Sequence, residues 1–284
     1  FKDASMFKIT GGTFKVNATD ATSSITFDGQ KIKLTSAYNG GAFYVDGGNI
    51  KLNGTEKTVE NQKEKTIIIK DNIISASSDY TSAYGGGFYI KGGINTLTNC
   101  SITGNKVSTS SDYTSAQGGG IFIRDGSNTL TNCSITSNIA SDTSSYDSNA
   151  VGGGVYINSS GTNTLTNCSI TGNKVSSTSS SSYSVYSTCQ GGGVYIEGSG
   201  TRALTSCSIV DNTASVGGGV SIRGGTNTLE NCSTTSNTAS VGGGIFSDGG
   251  TNRLIGTMNI TENTASDSSN NNLYLDNGCT VALS

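Results

Sequence analysis

Residues alternate with period two in three short runs, and the set of three recurs along the chain. In 121–123, Ile121 and Ile123 flank Phe122; in 129–131, Thr129 and Thr131 flank Leu130; in 133–135, Cys133 and Ile135 flank Ser134. A period of two is that of a β-strand with one face buried. Gly, Ser, Asn or Asp separate the runs, and no window holds apolar residues at helical spacing over two or more turns. The pattern therefore predicts three short strands per unit and an all-β chain.

The unit repeats. Glycine triplets stand at 85–87, 118–120, 152–154, 191–193, 217–219 and 242–244. The two closest spacings, Gly217 to Gly242 and Gly191 to Gly217, set a coil of about 25 residues, and longer units differ only between a recurrent Asn and the next triplet. A unit of this size cannot bury its own apolar face and must stack on its neighbours. The prediction is one parallel β-helix over 1–284, with divergent coils over 1–66 and regular ones over 67–284.

Stacking in register puts like residue on like. One inward file is Leu97, Leu130, Leu165, Leu204, Leu229 and Leu254; a second is Ile102, Ile135, Ile170 and Ile209, with Thr234 as its exception. A third is Cys100, Cys133, Cys168, Cys207 and Cys232. Counting back from Gly85 puts Ile67 in the cysteine file, Ile69 in the isoleucine file and Asn72 in the asparagine file. That last file holds Asn72, Asn105, Asn138, Asn173, Asn212, Asn237 and Asn263. It is expected to form a side-chain hydrogen-bond ladder, since Asn tolerates turn geometry and its amide can bond the next. The triplets suit a corner needing positive φ or close backbone approach.

All the length variation leaves from one corner. The insertions are 76–84, 108–117, 141–151 and 176–190, rich in Ser and Thr. Tyr80, Tyr113 and Tyr146 each fall eight residues after a ladder Asn, so they are expected to stand in a column, with Asp79 and Asp112 beside the first two and Tyr183 and Tyr186 extending the row. Rings with polar tips among hydroxyls and carboxylates form a candidate ligand strip; the competing expectation is that they fold down over apolar edges of the coil. A second outward strip is Thr96/Thr98, Thr129/Thr131 and Thr164/Thr166. The mixed-charge stretch 54–65 reads as a solvated loop, a helical turn or a partner-binding lobe.

Composition narrows the chemistry. Of 284 residues 13% are charged, the net charge is −3, and His, Pro and Trp are missing. With no basic stripe, nucleic-acid binding lacks its electrostatic footprint, and no apolar run in this segment is long enough to insert in a bilayer. Without His or a Cys-x-x-Cys pair, neither a metal nor another cofactor is expected. The file cysteines are expected to be buried free thiols, because parallel Cβ vectors suit a disulfide poorly. Cys189 and Cys279 fall outside the file and are the expected reactive thiols. The carboxylates Asp79, Asp112, Asp125, Asp142 and Asp147 are scattered, and Arg124 beside Asp125 reads as a surface pair. No recurrent acid dyad marks a sugar-cleaving site, so the chain is expected not to be an enzyme.

The Gly-Gly-Ala at 40–42, the glycine triplets before Ile, Val or Phe, and the Ile-x-x-Asn at 69–72, 102–105, 135–138, 170–173, 209–212 and 260–263 resemble the repeats of polymorphic outer membrane proteins. Those pair Gly-Gly-Ala-(Ile/Leu/Val) with Phe-x-x-Asn; here Ile replaces Phe and a third Gly replaces Ala. The resemblance runs over about 39–275. It implies a right-handed parallel β-helix displayed outside the cell as an adhesin-like module, binding a glycan or a host or cell-surface protein. The alternatives are a surface filament or stalk built by head-to-tail coil stacking and a polysaccharide-active enzyme on a pectate-lyase-like fold.

Overall fold

The computed structural model describes residues 5–18, 24–29, 31–34, 41–59, 62–144, 148–177, 188–267, 271–276 and 279–283, of which 31–34, 57–59, 62 and 188 are described by their backbone. The chain is a parallel β-helix. Three sheets run its length among the described residues. The first face carries the strands that follow the glycine triplets, from Phe7–Ile9 through Ile121–Ile123 to Leu273–Leu275. The second runs from Thr13–Asn17 through Ser127–Thr131 to Val281–Leu283, the third from Ile25–Asp28 through Ser134–Thr136 to Asn259–Thr261. Pairing is parallel on all three, with Leu97 on Leu130, Leu130 on Leu165, and Ile102 on Ile135.

The inward files form one continuous core. Ile67 lies over Cys100 and Ile69 over Ile102, as the back-count from Gly85 requires. Each fully buried Leu or Ile removes enough apolar surface to contribute about 1.5–3 kcal/mol, so repeated files sustain a chain with only 33% hydrophobic residues. The file cysteines are free and buried. Each thiol donates to a carbonyl of the coil before it, as Cys133 does to Leu97 and Cys207 to Leu165, both at 3.4 Å. The neighbouring thiol, together with burial, pushes Cys168 and Cys207 up to about 12, which keeps them protonated and chemically quiet.

The asparagine ladder is continuous from Asn72 to Asn263. Each Oδ1 accepts both the backbone N–H and the Nδ2–H of the preceding Asn, at 3.0 Å in each case for Asn138 accepting from Asn105. The pattern holds in the shorter coils. Asn212 accepts from Asn173 at 2.9 and 3.0 Å, and Asn237 accepts from Asn212 at the same two distances. Both Asn212 and Asn237 are fully buried, as a ladder inside the corner requires. Left-handed backbone falls one residue earlier than the sequence suggests, at Asp71, Gly104, Ser137, Gly172, Asp211, Ser236 and Glu262. The preceding residue makes the bend, and the ladder Asn is left to bond across coils.

A second, shorter ladder is absent from the sequence-based expectations. Asn95, Asn128 and Asn163 are joined at 2.8 and 2.7 Å, and Asn227 donates to Asn252 at 2.8 Å. Between these halves the register places Arg202, fully buried. Its guanidinium donates to the carbonyls of Gly200, Gly198 and Ser159 at 2.8, 3.1 and 2.6 Å. Its Nε and the Oδ1 of Asn227 find no partner.

Thr234, the exception in the isoleucine file, is fully buried with an unpartnered hydroxyl. Thr234→Val keeps the shape and removes the orphan. It is expected to stabilise the fold by about 1 kcal/mol, read as a rise in the urea midpoint at unchanged slope; no rise would mean that the hydroxyl has a partner in solution.

The long coils add two further strands to the three of each unit. After the ladder Asn the chain continues as a strand, at Ile73–Ala76, Lys106–Thr109, Ile139–Asp142 and Lys174–Ser177. It then returns along Ala83–Tyr84, Ser115–Gln117, Asn149–Val151 and Thr188–Gln190. Both sets stack in parallel across coils and enclose a small core of their own, built largely from alanine. These strands therefore form a fin along the helix.

The fin also explains a file that breaks the one-face-buried rule. Tyr89, Phe122, Tyr156 and Tyr195 point away from the main core but are buried, packed with Val151 and Tyr84 from the return strands. Their rings stack coil on coil, with Phe122 and Tyr156 at 4.6 Å and an interplanar angle of 4°. The first face thus has apolar residues on both sides, and the signal in the sequence was the unbroken aromatic column at 44, 89, 122, 156 and 195.

Candidate functional site

At the apex of the fin the chain turns in four residues. Thr81 N–H closes on the Ser78 carbonyl at 3.2 Å, and the third residue of this turn, Tyr80, has φ of 60°. In the next coil Tyr113 holds the equivalent place with φ of 59°, and Thr114 Oγ1 donates to the Ser111 carbonyl at 2.6 Å. Left-handed backbone at that position normally selects Gly or Asn, because a Cβ crowds the following carbonyl. The two turns are joined by Tyr80 N–H donating to the Asp112 carbonyl at 3.3 Å.

The two side chains leave the fin and lie against each other. Their ring centroids are 5.2 Å apart with planes 4° from parallel. Tyr80 is 75% exposed and Tyr113 52% exposed. The rings therefore do not fold over the coil, and the competing expectation is set aside for this pair. Asp79, next to Tyr80 in the chain, is exposed, and Asp112, next to Tyr113, is half-buried. Tyr146, Tyr183 and Tyr186, the rest of the expected row, lie outside the described residues.

Other expectations move. Cys189 lies on the return strand Thr188–Gln190 inside the fin's core, 3% exposed, and burial pushes its thiol up to about 11. It is a packing residue and not a reactive one, because the insertion around it folds into a second core. Cys279 is only half-buried. Arg124 does not pair with Asp125. Its guanidinium donates to the Tyr89 hydroxyl at 3.3 Å, and Asp125 accepts from Gly126 N–H and Ser160 Oγ, which hold its carboxyl below the usual range.

Asp142 is fully buried on the fin strand Ile139–Asp142, its carboxylate accepting from the N–H of Ser144 and Asn149 at 2.9 Å each. Burial raises its pKa. The carboxylate ties Ser144 to Asn149 at the start of the return strand, so it is placed to hold the fin together. Among the described residues no group of three or more His, Cys, Asp or Glu side chains could hold a metal ion.

The stretch 54–65 is an antiparallel hairpin, Glu56–Val59 paired with Gln62–Lys65, and not a loop or a helical turn. Lys65 and Lys63 both engage the Glu56 carboxylate. The hydrogen bond from Lys65 outweighs burial and holds that carboxyl below its ordinary value. The hairpin overhangs a shallow groove of about 580 Å³ lined by Thr55, Glu56, Lys65, Asn99, Asn132 and Asn167. The outward strip of the second face is regular too: Thr96, Thr129 and Thr164 stack in one column, which Ala203 interrupts.

Of these surfaces, the tyrosine apex alone combines large exposed rings with a backbone geometry that the residue type disfavours. The groove is polar without an aromatic platform, and the threonine strip is what β-propensity alone would place on an outward strand. Compared with family models, with curated proteins and with solved structures, the chain matches none.

Proposed function

We propose that the chain is an extracellular or cell-surface binding module of adhesin-like type, with the β-helix as a rigid mount and the fin apex as its contact surface. The observation that carries this reading is the Tyr80–Tyr113 pair: two exposed rings, stacked at 5.2 Å, each on a left-handed residue. Strain of this kind costs free energy and persists where the side chain has a use. A tyrosine pair offers apolar ring area with phenolic tips, at little cost in side-chain entropy on binding. Asp79 and the surrounding Ser and Thr hydroxyls add the acceptors and donors that a glycan or a polar protein surface needs. The repeat resemblance and the Ser/Thr/Asn-rich, charge-poor composition support a place outside the cell. The reading assigns no catalytic step and no cofactor to the chain.

The test pairs a binding assay with a stability measurement. A glycan array and a cell-surface pull-down supply the ligand, and the double variant Tyr80→Ala/Tyr113→Ala is then compared with the parent chain. Affinity is expected to fall at least about tenfold, equivalent to ~1.4 kcal/mol. Folding stability is expected to change by no more than about 1 kcal/mol, since an exposed ring pair contributes little beyond its own contact. Equal affinity in the variant would move the contact surface elsewhere. A large loss of stability would make the rings structural.

A further inference from the structure

We propose that Tyr80 and Tyr113 are a cross-linking site, at which a one-electron oxidant joins the two rings through their ortho carbons into an intramolecular dityrosine. This does not depend on what the apex binds.

The geometry favours the pair in three ways. The rings are nearly parallel with their centroids 5.2 Å apart, so the two phenols are already stacked on each other across adjacent coils before oxidation begins. Their turns are already held together by the bond from Tyr80 N–H to the Asp112 carbonyl, so both radicals stay in place while they meet. Both rings are exposed, which gives an oxidant access and gives the phenolic proton a route to water.

The other contacting tyrosines differ. Tyr89 and Tyr84 lie 5.6 Å apart and Tyr156 and Tyr195 5.0 Å apart, but Tyr89, Tyr156 and Tyr195 are buried. Burial raises the pKa of all three phenols, which holds the proton that oxidation must release. Among the described residues Tyr80 and Tyr113 are the exposed tyrosines, and they touch each other.

The chemistry balances with a haem peroxidase and hydrogen peroxide. Each phenol loses one electron and one proton to become a phenoxyl radical. The two radicals pair to form one carbon–carbon bond between ortho carbons, and each ortho hydrogen then moves to its own oxygen and restores the phenol. The two electrons and two protons reduce one hydrogen peroxide to two waters. The product ties together coils that are adjacent in space but 33 residues apart at this position, from 80 to 113.

The full chain, dilute enough to disfavour contact between molecules, is treated with peroxidase and hydrogen peroxide and digested with trypsin. Cleavage after Lys70, Lys91, Lys106 and Arg124 puts Tyr80 in peptide 71–91 and Tyr113 in peptide 107–124, where it is the lone tyrosine. The expected product is these two peptides joined, with a mass equal to their sum less two hydrogens. Its yield is unchanged on tenfold dilution, and it is lost in Tyr80→Phe and in Tyr113→Phe, both of which keep the rings. Free tyrosine treated in a parallel tube reports that the oxidant is active. The proposal is overturned if free tyrosine couples while the joined peptide is missing. It is equally overturned if the yield falls in proportion to dilution, or if the joined peptide survives in Tyr80→Phe, which would assign the bond to Tyr84 or Tyr89.

Discussion

Replacing Asn138 by alanine is expected to destabilise the fold by about 4 kcal/mol. Asn138 Oδ1 accepts the N–H and the Nδ2–H of Asn105, each at 3.0 Å, while its Nδ2 donates to the Ile102 carbonyl at 2.9 Å and to Asn173 Oδ1 at 3.0 Å. All of these groups lie where water does not reach, Asn138 itself being fully buried. Alanine strands two donors of one coil and removes a donor from two acceptors. A buried group left without its partner costs about 1–3 kcal/mol, so two or three such groups give the stated loss. Asn138→Asp keeps the acceptor side but aims a carboxylate at the Ile102 carbonyl and the Asn173 Oδ1, and it is expected to be no better than alanine at neutral pH. The control is Thr162→Ala on the exposed edge of the second face, expected to stay within about 0.5 kcal/mol. Urea unfolding compares the three. If Asn138→Ala matches the control, the ladder is not holding the coils.

Gly153→Ala is expected to cost about 3 kcal/mol through sterics alone. A Cβ built on Gly153 would lie 2.5 Å from the Gly192 carbonyl oxygen and 2.8 Å from the Lys174 backbone carbon and nitrogen. Those atoms belong to the backbone of this coil and the next, so nothing flexible can step aside, and the overpacking must be absorbed as displaced backbone. Gly11 is the contrast. A Cβ there meets nothing within 4 Å, and its φ is not left-handed. Gly11→Ala is expected to be neutral or to stabilise by about 0.4–1 kcal/mol, because it restricts the unfolded chain. Thermal melts of the two variants against the parent decide. Equal shifts would mean that the triplets are a compositional habit and not a requirement of coil spacing.

Both predictions concern the part of the molecule that its repeats make legible. The leucine, isoleucine and cysteine files and the Asn72–Asn263 ladder follow from residues recurring at one place in each unit. Ile67, standing where later coils have cysteine, marks that slot as apolar from the sequence alone, and it pairs with Cys100. The ladder positions Asn212 and Asn237 follow in the same way, although their coils are the shortest, because length varies only after the ladder residue. The aromatic column and the second asparagine ladder are equally periodic. Alternation alone labels Phe122 and Tyr156 as outward-facing, and an outward side chain reads as exposed until something is known to cover it.

The candidate site was legible only in part. Eight-residue spacing from the ladder put Tyr80 and Tyr113 in one column, and the rings do meet. Spacing could not say that the rings stay in solvent, since that depends on the fin beneath them having its own filled core. The same core decides Cys189: a cysteine in a Ser-rich stretch reads as exposed until its neighbour is seen to be Ala150 on the adjacent strand. Nor could the charge pattern of 54–65 distinguish a loop from the hairpin that pairs Glu56 with Lys65.

By itself, the sequence determined the coil, its period, its inward files and the corner from which every insertion departs. These are properties of a one-dimensional repeat in which each unit sees only the units above and below it, so identical positions are forced onto one another. Tertiary structure alone decided what lies sideways of the coil: that strands from insertions of low hydrophobicity zip into a second double sheet, that this sheet buries an aromatic face, and that Tyr80 and Tyr113 remain outside it. Those outcomes depend on packing between segments with no fixed spacing in the chain, where the free energy is set by area removed from water and not by periodicity.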